Sequence, residues 1–271
     1  MKVTMFTSML TLAALTPSLQ ASQGLEDLNT ALNRFSGNTP VSATLFSSYS
    51  QDRGKKEREV KNTSGSINVK LQMAAEGMQV TYFADTLAKI DQEKREKAND
   101  EEALTPTLNA MERLDTPEMK NMVSASQELS RFLSKAQFEK EEATEFMSKP
   151  ARRLFFNLPL DSIVDDKETR EYVDEFEGKY SVIIDEDGTP LQAIMSFSGS
   201  GSAFIFFTVD MTQTYIATYN TIGDRLIIEE EQVERSMDST WGKTNSVSLK
   251  RLTLDDTTEV AANASAQEAI E

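Results

Sequence analysis

Asp185-Glu186-Asp187-Gly188 is the stretch of this chain most like a site, because acids at alternate positions followed by a glycine are how a calcium loop of the EF-hand type is built. Such a loop also needs a bidentate acid some residues later. Gln192 and Ala193 occupy that neighbourhood instead, and both flanks alternate as strands. Asp-Gly is a preferred pair for a tight hairpin, since glycine accepts positive φ without steric penalty. The stretch therefore reads as a turn between strands, with a calcium ligand set as the lesser alternative.

Other chemistry is bounded by what the composition lacks. The chain has no His and no Cys, which removes Ser-His and Cys-His nucleophile pairs, a histidine base, and zinc or non-haem iron sites of the usual kind. The glycines of Ser198–Ser202 lead into a strand, not a helix, so they form no phosphate cradle. No serine sits in a Gly-x-Ser-x-Gly elbow or a Ser-x-x-Lys pair, although a Ser-Lys arrangement distant in sequence stays open. Paired carboxylates remain, since a glycosidase needs only two suitably separated acids. With 44 acidic residues, nothing singles out a pair. The expectation is a protein that is not an enzyme and uses no cofactor or metal, with a carboxylate-dependent hydrolase as an alternative. Glu229 to Arg235 reads as the wet face and edge of a strand. Trp241 reads as partly buried, with stacking on a sugar as the other possibility.

These residues must be positioned by elements that the hydrophobic pattern sketches. Leu25, Leu28, Leu32 and Phe35 fall on one face of an amphipathic helix. Val41 to Tyr49 reads as a strand. Ile67, Val69, Leu71 and Met73 alternate with polar residues, and Met78, Val80 and Tyr82 alternate back, which is a hairpin with one buried face. Over 84–137 the period changes to 3.6. Thr105-Pro106 and Thr116-Pro117 each suggest an N-cap followed by a proline at the first helical position. The second of these helices is expected to carry Met119, Met122, Val123, Ser126, Leu129, Leu133 and Ala136 on one face toward a sheet. From Ala151 onward, strands recur with turn signals between them, a meander expected to curl into a barrel, half-barrel or sandwich.

The formal charge of −16 repels phosphate backbones, so nucleic acid is not an expected partner. The basic clusters Arg53–Arg58 and Lys94–Lys97 are interrupted by acids and read as solvated faces. Residues 1–21 have the layout of a secretory signal peptide, with cleavage expected after Ala21, and the apolar run is short of the ~20 residues that span a bilayer. No later run is long and apolar enough for an integral membrane segment. Absence of Cys excludes a lipoprotein anchor and points to a bacterial periplasm. The domain is expected over 22–254, followed by a disordered acidic tail over 255–271.

Glu76 to Tyr82, Asp185 to Ala193 and Gly223 to Glu230, with their order around a helical section, resemble the hairpins of the LolA-like half-barrel superfamily of periplasmic proteins. The Pro40–Leu45, Ala151–Leu160 and Gly223–Glu229 layout is also similar to uncharacterised proteobacterial periplasmic proteins. The resemblance implies an α+β fold in which a strongly curved antiparallel sheet of roughly nine to eleven strands, a half-barrel, wraps packed amphipathic helices. It also implies an apolar concavity. Phe156, Ile205 and Phe207 are its candidate lining residues. The expected function is then a non-catalytic periplasmic protein that holds an apolar small molecule or an envelope protein's segment in that concavity. A structural or assembly factor of the envelope without ligand is the alternative.

Overall fold

The computed structural model describes residues 20–55, 60–203 and 207–255. The expected leader lies almost wholly outside them, as does the acidic tail beyond Asp255. The chain runs α1 (Gln20–Arg34), β1 (Val41–Gly54), β2 (Lys61–Ala74), β3 (Gly77–Tyr82), α2 (Ala84–Asn99), α3 (Pro106–Glu112), α4 (Thr116–Val123) and α5 (Ser126–Leu133). It continues through β4 (Gln137–Phe146), β5 (Lys149–Asn157), the short helices α6 (Leu160–Ile163) and α7 (Lys167–Arg170), then β6 (Val173–Ile184), β7 (Pro190–Ala203), β8 (Phe207–Ile222), β9 (Arg225–Ser239) and β10 (Gly242–Leu254).

All ten strands join one antiparallel sheet in the order β3-β2-β1-β10-β9-β8-β7-β6-β5-β4. The long pairing of β1 with β10, from Ala43 opposite Leu254 to Gly54 opposite Lys243, stitches the first hairpins to the last strand. The edges β3 and β4 do not pair with each other, so the sheet is open and un-curled. This corrects the expected strongly curved half-barrel, and with it the LolA-like resemblance, which the fold does not carry. A meander must close on itself only if nothing else buries its apolar face. Here the helices do so.

The covered face is built by alternation. On β1 and β2 it carries Leu45, Ile67, Val69 and Leu71, all buried, against α3 and α4. On β5 and β6 it carries Leu154, Phe156, Tyr180 and Val182, with α1 and α5 nearby. A side chain at Gly65 would place its Cβ 2.0 Å from the Pro106 carbonyl oxygen, so glycine is what lets α3 sit directly on β2.

Two local details differ from the sequence reading. The helix expected to run on from Pro117 is broken, because the Ala125 amide donates to the Leu226 carbonyl of β9 at 2.9 Å and Ser124 leaves helical geometry. Two helices, α4 and α5, result. Asp115, one residue before Thr116, caps α4 by accepting from the Glu118 amide at 2.7 Å. Asp185 to Gly188 is a turn, as expected: the Asp185 carboxylate accepts from the Asp187 and Thr189 amides. Gly188 has φ +82°, and a Cβ there would lie 2.4 Å from the Asp27 backbone, so the turn doubles as a seat for α1.

Candidate functional site

Between α3–α5 and the sheet lies a cavity of about 520 Å³ whose floor comes from β1, β6, β7, β8, β9 and β10. Its centre is a buried ion pair. Lys250 of β10 places Nζ 2.7 Å from Glu231 of β9 and 2.7 Å from Glu118 of α4. The Lys250 and Glu231 side chains are 8% and 10% exposed. Burial, the largest single influence, pulls the Lys250 ammonium down, but Glu231 and Glu118 together outweigh it and hold its pKa above the ordinary lysine value. Glu231 faces inward because of a bulge. Tyr219 pairs with Ile228 and Thr218 with Glu230, so Glu229 is the extra residue and the inward parity passes from Ile228 to Glu231.

Tyrosines surround this pair. Tyr215 donates to Glu231 at 3.2 Å, and Tyr180 and Tyr219 share a hydrogen bond. Desolvation first, then neighbouring hydroxyls and Glu231, raises the pKa of Tyr215 well above the ordinary phenol value. Tyr180 and Tyr219 are raised by burial as well. Phe132 of α5 lies with its ring centroid 4.9 Å from that of Tyr180.

On the β1 side, the Arg113 guanidinium at the end of α3 stacks over the Tyr49 ring, 4.1 Å from its centroid. Tyr49 is 7% exposed, and its hydroxyl is buried without a hydrogen-bond partner. The same holds for Asn121 Oδ1 on α4. Arg235 of β9 donates to Gln213 of β8 at 2.8 Å. Among the described residues, neither Arg113 nor Arg235 is ion-paired.

Of the residues expected from the sequence to line a concavity, Phe156 and Phe207 lie in different surroundings. Phe156 is buried at 1% exposure, with ring centroids 5.6 Å from Phe138 and 5.9 Å from Tyr180. Ile205 lies outside the described residues. Phe207 begins β8, stacks on Trp241 at 4.7 Å, and lines a separate apolar groove of about 330 Å³ with Leu160, Ile163, Phe176, Phe197 and Met211. Trp241 is 68% exposed, not partly buried as expected. The expected function fails with the half-barrel: the open sheet does not wrap an apolar concavity, and the cavity beside its covered face is lined by charged groups, serines and tyrosines as well as apolar side chains. Among the described residues, no cluster of acids has the arrangement of a metal site, and no helix is long and apolar enough to cross a membrane.

Sequence reading missed Lys250, Glu231 and Arg113. One signal was present: Ser246, Ser248 and Lys250 share the alternation of Leu252 and Leu254, which puts a lysine on an otherwise inward face. Compared with known proteins, the chain matches no family model and no curated protein.

Proposed function

We propose that this protein is a binding module, not an enzyme, and that it holds a small polar molecule in the cavity between α3–α5 and the sheet. The observation that carries this is the wall of that cavity. It brings the hydroxyl-bearing Ser47, Ser48, Ser246, Ser248 and Tyr215 together with the Lys250 ion pair around one volume.

Binding is favoured over catalysis by the protonation states. Lys250 is held charged between two carboxylates, so it offers no free amine for covalent chemistry. The raised Tyr180, Tyr215 and Tyr219 stay protonated near neutral pH, where they donate and accept hydrogen bonds and do not act as bases. What remains is a preorganised set of hydroxyls, amides and ring faces, which suits recognition.

The test is calorimetric titration and thermal-shift screening of the full chain against sugars, polyols, amino acids and small organic acids, with native mass spectrometry of protein from its own cells to detect a retained ligand. Saturable binding is expected, and Ser248→Trp, which fills the cavity from β10, should abolish it while leaving the circular dichroism spectrum intact. Undiminished binding in a folded Ser248→Trp protein would place the site elsewhere, and inertness across the screen with a clean apoprotein mass would sink the proposal.

A further inference from the structure

We infer that the ligand carries an anionic group, a carboxylate or a phosphate, read by the forked guanidinium of Arg113 with Arg235 beside the same cavity. This rests on the binding reading above and names its ligand class. All three carboxylates lining the cavity are committed to cations of the protein itself: Glu118 and Glu231 to Lys250, and Glu128 to Arg131 at 2.5 Å. Glu118, Glu231 and Lys250 leave one net negative charge between them. Arg113 and Arg235 outweigh it, and neither is ion-paired among the described residues. Both guanidiniums stand at one cavity without a carboxylate partner among the described residues, in a chain where 44 acids face 28 bases.

Arg113 is also held for the task. Its guanidinium rests over the ring of Tyr49, which is itself fixed in the sheet, and this contact restrains a planar fork of N–H donors. Such a fork matches the two oxygens of a carboxylate or phosphate edge, and an oriented one loses less freedom on binding than a mobile side chain. Ser246 and Ser248 line the same cavity, so the ligand is a small polar acid and not an acyl chain.

The experiment uses matched probes: glutarate against glutaramide, benzoate against benzamide, and glucuronate against glucuronamide, each titrated calorimetrically into the full-length protein, with inorganic phosphate as competitor. At least one acid should bind tenfold or more tightly than its amide, and the advantage should shrink with added salt. Arg113→Lys should erase most of that advantage, because the charge stays and the fork is lost. Tyr49→Leu should erase part of it by freeing the guanidinium. Lys89→Gln, an exposed charge loss on α2, should leave it unchanged. Competition by phosphate assigns the fork to oxyanions in general, and indifference to phosphate assigns it to carboxylates. Amides that bind as well as their acids would overturn the anionic class while the binding module stands. No binding by any probe, together with a clean native mass, would overturn both.

Discussion

Two buried cations, Arg225 and Lys250, sit on neighbouring parts of the same sheet and are satisfied in opposite ways. Arg225, 3% exposed at the start of β9, donates to the carbonyls of Thr39 at 2.7 Å, Val123 at 3.4 Å, and Gly37. Its neighbour Asp224 accepts from the amides of Asn38 and Thr39 and from the Ser36 hydroxyl. These bonds tie the α1–β1 loop, the end of α4 and the β8–β9 turn through main-chain groups, which cannot be exchanged for a ligand. Lys250 is bound by two carboxylate side chains, and beside it is open volume. The difference separates a charge that fixes topology from one that floors a cavity.

The comparison predicts unequal consequences when each cation is removed. Arg225→Leu strands three carbonyls and the Asp224 loop at once, and should cost about 3–5 kcal/mol of stability, the range for breaking a buried charged network. Lys250→Met leaves Glu231 buried without its partner and should cost about 2–3 kcal/mol, less because Glu118 is half exposed and can turn to water. Adding Glu231→Gln to Lys250→Met should recover a good part of that loss, whereas no single second change should rescue Arg225→Leu. Urea unfolding of the four proteins measures all of this. Equal losses, or an unrescued Lys250→Met, would mean that the two sites are of one structural kind.

Sequence reading recovered what alternation and turn chemistry encode: the β2–β3 hairpin, the helix from Leu25, the Asp185–Gly188 turn. It failed where the answer depended on what lies across the face. Alternation says which side of a strand is buried, not what buries it, so a meander covered by helices was read as one that wraps round them. Glu231 was hidden by the bulge at Glu229, because one inserted residue reverses inward and outward in a run of acids. The break between α4 and α5 is made by a hydrogen bond to Leu226, about a hundred residues away in sequence, and the local pattern continues straight through it.

Acid should loosen the loop that Asp224 holds. For Asp224, burial is the largest single influence and raises its pKa, but hydrogen bonds from Ser36, Thr39 and two amides outweigh it and hold the carboxyl well below the usual carboxylate range. A carboxyl whose native pKa lies below its unfolded value contributes stability that is present in full above the unfolded pKa, about 3.9, and is lost as pH falls toward the native pKa. Asp224→Asn should therefore cost about 1–2 kcal/mol near pH 7, and its deficit against the wild type should shrink as pH falls below about 4. A deficit that stays constant down to low pH would show that the loop is held by shape and not by this charge.

The smallest effect is the sharpest on the cavity side, since its sign is reversed. Tyr49→Phe removes a buried hydroxyl that has no partner and keeps the ring on which Arg113 stacks. In a purely structural wall, deleting a hydroxyl usually destabilises or does nothing. Here the unliganded protein should gain about 1 kcal/mol, the lower end of what an unsatisfied buried polar group costs. The gain should appear as a higher urea midpoint at unchanged slope, since the surface exposed on unfolding is the same. Bound ligand should leave the gain unchanged, because the hydroxyl has no surface that a ligand could reach. A loss of stability would mean that the hydroxyl has a partner in the folded protein, and that this part of the wall resembles the Arg225 knot more than a site in waiting.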